Sequence, residues 1–294
     1  MESLKSKVLA LKPVLILFYL SFMGCLSVFA VQLYLGMGFQ PLICLCSMGI
    51  IFGIYTSNRF TDTAEDFTND IQKALFFQSR RIWYALAIGA LVVSMGILLV
   101  QEKLNWLHFL LIGMGFCYSY RLIPWYSPGQ GMQLIRIKEM TFVKNLAVSL
   151  LWGGSVFMVP ILYSSVTVAN LFVLIHLGLG LFLSTLNNTL FDDILDEDGD
   201  RVAGIKTLPT TLGSRNSLRL LWALDIAWIL WIALCLSLGK LNLPHSAFLM
   251  FLGAFPIGYM SLSRQGKAPK AWIDFLMESD LLYFSLGLMF LSLV

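Results

Sequence analysis

Long apolar windows separated by short polar connections dominate this sequence and constrain its fold more than any other feature. Nine windows hold about the 20 mostly apolar residues that a helix needs to cross a membrane. Charged residues make up 13% of the chain, against roughly 25% in soluble domains. The sequence therefore predicts an all-α, polytopic membrane protein, and excludes a soluble enzyme, a disordered chain and a nucleic-acid binder. The windows are 13–37, 40–57, 82–100, 104–120, 141–163, 169–191, 217–238, 245–263 and 271–294.

Basic residues lie almost entirely on one side of the predicted helical bundle. The long polar connections alternate with short ones, and all Lys and Arg residues except Lys103 and Lys240 lie in the N-terminal segment or in or beside a long connection. Because positive residues are retained on the cytoplasmic side, we expect the N-terminus and the long connections to be cytoplasmic. We expect a single domain over residues 1–294. Since no organelle-targeting segment is visible, we expect this domain to lie in the plasma (inner) membrane. The long connections are 58–81, 121–140, 192–216 and 264–270.

Two groups of mainly acidic residues begin two of these long connections, with side chains four positions apart. On a helix, that spacing places the side chains of each group on one stripe. Like charges at this spacing repel each other, so an empty stripe destabilises its helix. We name them the first and the second acidic stripe: Asn58, Asp62 and Asp66 form the first, and Asp192, Asp196 and Asp200 form the second.

The donor atoms of the two stripes indicate a divalent metal site that binds a diphosphate. Carboxylate oxygens suit Mg²⁺ or Mn²⁺, and Mg²⁺ is often shared between carboxylates and substrate phosphates. Two facing stripes would hold two Mg²⁺ ions through all six of their side chains. The charge balance still requires bases on the same side of the membrane, since Lys and Arg bind phosphate. The predicted diphosphate-binding residues are Asn58, Arg136, Lys138, Lys144, Arg201 and Lys206.

The segments around the stripes resemble the UbiA superfamily of intramembrane prenyltransferases. The first family motif, NDxxDxxxD, is matched at Asn58, Asp62 and Asp66, with Arg59 in place of the usual second aspartate. The second, DxxDxxGDxxxGxxTLPxxxG, is matched throughout residues 193–213. These two motifs carry most of the resemblance.

A third, basic segment is similar to the family's LKLKxxxxxGN stretch. It reads LIRIKEMTFVKN here, with Arg136, Lys138 and Asn145 at matched positions and Lys144 in place of a small residue. The resemblance therefore extends to three motifs in the family's order.

The resemblance implies a bundle of helices around a central cavity, with a cytoplasmic helical cap that carries both acidic motifs. It implies Mg²⁺-dependent transfer of an isoprenyl group from an allylic prenyl diphosphate to a lipophilic, aromatic acceptor within the membrane, as for quinone precursors. Membrane lipid is an expected partner, nucleic acid is not, and the oligomeric state stays open. The acids predicted to be catalytic are Asp62, Asp66, Asp196 and Asp200.

Other functions remain open at this point. Arg59 and Ile71 depart from the family pattern and allow a membrane terpene cyclase, in which the carbocation is attacked from within the same prenyl chain. Transfer to a non-aromatic acceptor, such as a sugar phosphate or a glycerol ether, is also open. A cation transporter is disfavoured because transport sites lie near the bilayer midplane. The proton acceptor is left among Asp193, Glu65 and Asp70.

Polar residues within the windows are further candidates, because buried polar groups in membrane helices are often functional. Asn187 and Asn188 precede the second stripe by one turn, and they fit a substrate contact and an interhelical hydrogen bond equally. Asp225 is expected either to face the interior of the bundle or to pair with a base, for which Arg219 and Lys144 are the candidates.

Overall fold

The structure, a computed structural model of the chain, describes residues 2–62, 71–127, 129, 131–163, 171–202, 206–266 and 269–294. Helices account for most of them. In chain order they are α1 (Glu2–Tyr34), α2 (Pro41–Thr61), α3 (Ile71–Ser79), α4 (Ile82–Val100), α5 (Trp106–Ser119), α6 (Val143–Trp152), α7 (Val159–Tyr163), α8 (Leu171–Leu195), α9 (Glu197–Val202), α10 (Leu208–Leu212), α11 (Ser214–Ser237), α12 (Leu243–Arg264), α13 (Lys270–Glu278) and α14 (Asp280–Leu291).

Four short elements complete this part of the chain. Strands β1 (Ile123–Ser127) and β2 (Gly131–Ile135) form one antiparallel hairpin. A 3₁₀ turn, Ile137–Glu139, follows the hairpin, and a π-helical segment, Gly153–Met158, joins α6 to α7.

Seven helical segments in the described part of the chain are long and apolar enough to cross a membrane, and α5 and α14 are shorter apolar helices. The all-α, polytopic fold class is confirmed. The seven segments are Pro13–Tyr34, Pro41–Thr61, Ile82–Val100, Val143–Tyr163, Leu171–Leu195, Ser214–Ser237 and Leu243–Arg264.

The last predicted window, 271–294, contains two helices rather than one. The Ser279 hydroxyl donates to the carbonyl oxygen of Phe275 at 2.6 Å, and the Asp280 carboxylate accepts from the backbone N–H of Leu281 at 2.6 Å. Such local bonds compete with a continuous helical ladder. The polar pair Ser279 and Asp280 therefore separates α13 from α14.

The contacts within the chain define two compact units, which we describe separately. Unit 1 comprises Met1–Leu26 and Gln40–Met140, and unit 2 comprises Ser27–Phe39 and Thr141–Val294.

In unit 1, α2 packs against α4 and α5 through small residues. A Cβ atom at Gly53 would lie 3.0 Å from the carbonyl oxygen of Ala87, and one at Gly115 would lie 2.8 Å from the Ile54 side chain. Small residues of this kind allow membrane helices to approach closely. The close packing holds the C-terminal end of α2, where the first acidic stripe begins.

Unit 1 also contains the β1–β2 hairpin, within a connection for which the sequence predicted no strand. Ile123 pairs with Ile135 at the open end, and Ser127 pairs with Gly131 beside the turn. Gly129 and Gly131 have φ values of +87° and +76°, which a residue with a Cβ atom rarely adopts. The turn therefore depends on these two glycines.

In unit 2, α8 packs against α6, α11 and α12. A Cβ atom at Gly180 would lie 3.1 Å from Leu249, and the indole N–H of Trp228 donates to the Leu249 carbonyl oxygen at 2.9 Å. A buried apolar cluster then surrounds the cytoplasmic end predicted for α8. Its members are Leu190, Phe191, Leu208, Leu218, Leu221, Tyr259, Met260, Ile273 and Met277.

Candidate active site

The first acidic stripe begins on the last turn of α2 in unit 1. The backbone N–H of Asp62 donates to the carbonyl oxygen of Asn58 at 3.0 Å, so the two side chains lie one helical turn apart. The Asn58 side-chain oxygen accepts a hydrogen bond from the Ser119 hydroxyl at 3.1 Å, which fixes the orientation of its amide. Asp66, the third member of the stripe, lies outside the described residues, as do Glu65 and Asp70.

Two of the predicted diphosphate-binding bases lie against Asp62. The Lys138 ammonium donates to the Asp62 carboxylate in a short contact, and an Nη atom of Arg136 lies 3.7 Å from the same carboxylate oxygen. The three side chains are largely buried, with 8% exposure for Lys138, 9% for Asp62 and 14% for Arg136. Burial weakens screening by solvent, so this arrangement concentrates positive charge at the first stripe.

Glu139 orients Arg136 and was not among the predicted site residues. Its carboxylate accepts from Nε of Arg136 at 2.9 Å, from the Arg136 backbone N–H at 3.2 Å and from Arg121 at 3.1 Å. Burial alone would raise the pKa of Glu139, but the hydrogen bonds from Arg136 and Arg121 hold that pKa below its ordinary value. Its position three residues after Arg136 was the available sequence signal, since such pairs meet on a helical turn.

The second acidic stripe follows the junction of α8 and α9 in unit 2. The backbone N–H of Asp196 donates to the carbonyl oxygen of Asp192 at 3.0 Å, and that of Asp200 donates to Asp196 at 2.9 Å. The helical path therefore continues through the junction, and the three acids occupy successive turns. Asp192 and Asp196 are exposed, whereas Asp200 is buried.

Asp193, the neighbour of the second stripe, has both carboxylate oxygens engaged within unit 2. One oxygen accepts from the Lys144 ammonium at 2.6 Å, and the other accepts from the Asn145 side-chain amide at 3.1 Å. Lys144 is predicted to bind diphosphate, and here it neutralises an aspartate of the second motif. Asn145 was matched to the family segment but was not predicted as a site residue, although its place beside Lys144 was the signal.

Negative charge around the second stripe exceeds positive charge. The Asp192 carboxylate is repelled by the carboxylates of four neighbouring acids, which are Asp196, Asp193, Glu278 and Asp274. Outside the membrane-crossing segment, burial and repulsion from Asp193 and Asp196 raise the pKa of Asp200, against an opposing attraction from Lys144. An excess of acid of this kind favours binding of a cation.

The donor groups of this region fit Mg²⁺ when it is shared with a ligand. Among the described residues, no three His, Cys, Asp or Glu side chains converge closely enough to hold a metal ion by themselves. Mg²⁺ ordinarily binds one or two carboxylates and completes its shell with phosphate oxygens and water. The exposed carboxylates of Asp192 and Asp196, on consecutive turns, meet that requirement.

The two remaining predicted bases follow the second stripe. Arg201 donates to Glu197 at 2.5 Å, and Glu197 also accepts from the hydroxyl of Ser214 in a short contact. The hydrogen bonds from Ser214 and Arg201 keep the pKa of Glu197 below its ordinary value against the opposing effect of burial. Lys206 is exposed. Arg201 is thus tethered beside the stripe, whereas the position of Lys206 leaves its ammonium accessible to solvent.

The polar residues within the spans form interhelical hydrogen bonds in unit 2. The Asn187 amide donates to the Asp225 carboxylate at 2.5 Å, so the predicted pairing of Asp225 with Arg219 or Lys144 is wrong. Lys144 is instead held by Asp193. Asn188 accepts from the Tyr259 hydroxyl at 2.6 Å and donates to the Met277 carbonyl oxygen at 2.8 Å.

The family profile of the UbiA prenyltransferase family matches residues 10–293. The chain therefore belongs to the UbiA prenyltransferase family. Together with its apolar crossing helices, this makes it an integral, multi-pass membrane protein.

Two curated relatives carry the name digeranylgeranylglyceryl phosphate synthase. The protein from Thermococcus gammatolerans is 27% identical over 136 residues, covering 46% of this chain and 42% of its own length. The protein from Thermococcus sibiricus is 32% identical over 95 residues, covering 32% of each chain. The matches thus span less than half of either relative.

Solved structures of UbiA homologues share the fold. A homologue from Archaeoglobus fulgidus bound to DMAPP and Mg²⁺ gives a TM-score of 0.63 at 14% identity, covering 95% of this chain and 98% of that one. An apo homologue from Aeropyrum pernix K1 gives a TM-score of 0.64 at 14% identity, covering 92% and 97%. At this identity the likeness establishes the fold alone.

Proposed function

We propose that this protein transfers an isoprenyl group from an allylic prenyl diphosphate to a lipophilic acceptor in the membrane, with Mg²⁺ as cofactor. The observation that carries the proposal is the buried contact of Asp62 with Lys138 and Arg136, three residues from two separate motifs. Membership of the UbiA prenyltransferase family supports it. So does the A. fulgidus homologue, which was solved with DMAPP and Mg²⁺.

The acidic stripes are the proposed metal ligands. Two Mg²⁺ ions, when bound, would neutralise the diphosphate and make it a better leaving group. Asp62, Asp66, Asp196 and Asp200 lie at family motif positions and are the proposed catalytic residues. The complete proposed ligand set is Asn58, Asp62, Asp66, Asp192, Asp196 and Asp200.

The bases are proposed to hold the diphosphate as the C–O bond breaks. Lys138 and Arg136 already lie beside Asp62, and Lys144 lies beside Asp193. A bound diphosphate would give these cations a second anionic partner, and charge-assisted hydrogen bonds to phosphate are among the strongest in proteins. Pre-positioned donors of this kind stabilise charge that develops on the leaving group. Arg201 and Lys206 are proposed to contribute from the segment after the second stripe.

The proton released from the acceptor requires a base. Asp193 is a poor candidate in the arrangement observed, because Lys144 and Asn145 occupy both of its oxygens. Glu65 and Asp70, which lie outside the described residues, are the proposed alternatives.

Two acceptor classes are proposed for testing. The family resemblance predicts an aromatic, quinone-precursor-like acceptor. The names of the two Thermococcus relatives instead favour a prenylated glyceryl phosphate, in which a hydroxyl oxygen attacks the allylic carbon. A membrane terpene cyclase, which needs no acceptor, is the remaining alternative.

We propose that the N-terminus and both acidic stripes face the cytoplasm, in a plasma (inner) membrane. The one-sided distribution of Lys and Arg supports this orientation. Accessibility of cysteines introduced in intact cells at Lys206 and at Lys240, both exposed positions, would test it.

The activity can be tested on protein in liposomes with Mg²⁺ and geranyl, farnesyl or geranylgeranyl diphosphate. One arm contains no acceptor, a second an aromatic acid, and a third a geranylgeranylated glyceryl phosphate. Products are identified by mass spectrometry. A cyclic hydrocarbon in the first arm indicates a cyclase, whereas an adduct in the second or third identifies the acceptor class.

Variants of the proposed metal ligands distinguish activity of this protein from activity of a contaminating enzyme. Asp62→Asn and Asp196→Asn should each lower turnover by about 100-fold or more, as for loss of one electrostatic catalytic group. Asp198→Asn is the matched control, because Asp198 is exposed beside the second stripe but is not a member of it. Absence of Mg²⁺-dependent product in all three arms, with every donor, would contradict the proposal.

A further inference from the structure

The β1–β2 hairpin of unit 1 has a composition unlike that of the other extramembrane segments. Residues 122–135 contain no Asp, Glu, Lys or Arg, although Arg121 and Arg136 flank them directly. A short hairpin surrounded by water is normally kept soluble by charged side chains on at least one face. This segment therefore has an environment other than bulk water on at least one face.

The strand register places four apolar residues on one face of the hairpin. Pro124 pairs with Leu134, and Tyr126 pairs with Met132. Directly paired residues point to the same side of a sheet, and alternate residues along a strand share a face. We call these four residues the hairpin apolar face.

The hairpin apolar face is uncovered in the described structure. Tyr126 is 67% exposed, Met132 is 69% exposed and Leu134 is 57% exposed. Contiguous apolar surface of this kind, bordered by polar residues, marks an interaction site with a partner or with a membrane.

The position of the hairpin in the chain favours lipid as the partner. Three residues separate the end of the apolar helix α5 from the start of β1, so β1 begins within about 14 Å of that helix end. The headgroup region of a bilayer is roughly 5–8 Å thick on each side. After the hairpin, the chain returns to a crossing segment at Val143.

The residue types match this depth. Trp and Tyr are enriched at membrane interfaces, and Tyr126 lies on the hairpin apolar face. Arg121 pairs with Glu139 at the base of the hairpin, yet its side chain is 66% exposed, so it can also attract anionic headgroups. We propose that the hairpin apolar face lies in the interfacial region of the bilayer and anchors the hairpin to lipid.

The proposal can be tested with an environment-sensitive fluorophore, such as NBD, attached to the cysteine of the Met132→Cys variant. The matched control is Gln133→Cys, the next residue, which lies on the opposite face of the hairpin. Both proteins are placed in liposomes containing lipids brominated along their acyl chains, and aqueous iodide is added in a parallel titration. The unsubstituted protein, carried through the same labelling, corrects for the five native cysteines.

The proposal predicts at least twofold stronger quenching by brominated lipid at position 132 than at position 133, with the reverse order for iodide. Equal iodide quenching at both positions would overturn it, because the face would then be in water. Protection of position 132 from both quenchers would also overturn it and would indicate protein cover. If that protection disappeared at high lipid-to-protein ratio, the cover would be a second copy of this chain. Circular dichroism of both variants confirms that the helices have formed.

Discussion

The ammonium group of Lys138 contacts the carboxylate of Asp62, although the two residues lie 76 positions apart in the chain. Lys138 belongs to the basic segment after the hairpin, and Asp62 follows the last turn of α2. The contact joins two motifs that the sequence shows only as separate segments. It also places a cation of the basic segment beside a carboxylate of the first acidic stripe.

Replacing Lys138 by Met should weaken both the fold and ligand binding. Removing one partner of a buried ion pair leaves an uncompensated charge, which costs about 3–5 kcal/mol, and Arg136 offsets part of that cost here. We expect a lower unfolding midpoint in detergent and a prenyl diphosphate affinity reduced by about tenfold or more. Lys240→Met, at an exposed position, is the control and should change neither. Unchanged diphosphate affinity in Lys138→Met would refute a role for this ammonium in ligand binding.

Lys144 should have opposite effects on the binding of metal and of diphosphate. Its ammonium neutralises Asp193 and attracts Asp200, so Lys144→Ser should increase the affinity for Mn²⁺ alone, by about tenfold, through removal of one nearby positive charge. The same variant should bind prenyl diphosphate more weakly. Mn²⁺ affinity can be followed by electron paramagnetic resonance.

A purely structural role for Lys144 would give a different result. Loss of a structural pair would lower the unfolding midpoint and weaken both ligands together. Arg201→Ser is a comparison variant, because Arg201 is paired with Glu197 rather than with Asp193.

The membrane-crossing helices, the helical course of the second acidic stripe and the Asn58–Asp62 turn of the first could be predicted from the sequence, because each depends on local periodicity. The apolar windows at 82–100 and 169–191 carry their own signal in composition, and helices Ile82–Val100 and Leu171–Leu195 occupy them. Asp192, Asp196 and Asp200 follow one another at helical spacing, and the backbone bonds preserve that spacing through the α8–α9 junction.

The partners of the acids could not be predicted, because they come from distant positions. Asp192 and Asp193 are adjacent, and each is followed by another acid four residues later. The sequence therefore does not decide which of the two carboxylates contacts Lys144. The hairpin was missed for another reason. Each of its strands is only five residues long. Strand β1 also contains Pro124, a residue that argues against a strand when the sequence is considered alone.

The ion pairs of Glu139 with Arg136 and Arg121 should make the stability of unit 1 decrease at acidic pH. The pKa of Glu139 is lower in the folded protein than in the unfolded chain, so its contribution to stability is present above the ordinary Glu pKa of about 4.3 and is lost as the pH falls through the lowered value. We expect Glu139→Gln to lower the unfolding midpoint at pH 7, with a difference from the parent that shrinks below pH 4. Thermal unfolding across pH 3 to 7 measures this. The exposed Glu102→Gln variant should track the parent throughout.

The Asn187–Asp225 pair should contribute to the packing of unit 2 in a strongly non-additive way. Asp225 is 2% exposed, and its second carboxylate oxygen has no hydrogen-bond partner among the described residues. Asn187→Leu would leave both oxygens without a partner, which typically costs about 1–3 kcal/mol.

The double variant Asn187→Leu/Asp225→Leu should recover part of that loss, because no buried polar group is then left unpaired. Unfolding in mixed micelles with increasing dodecyl sulfate gives the four free energies of the cycle. A coupling energy near zero would mean that the 2.5 Å contact does not contribute to folding. A coupling of about 1 kcal/mol or more would show that this pair joins α8 to α11 beneath the second acidic stripe.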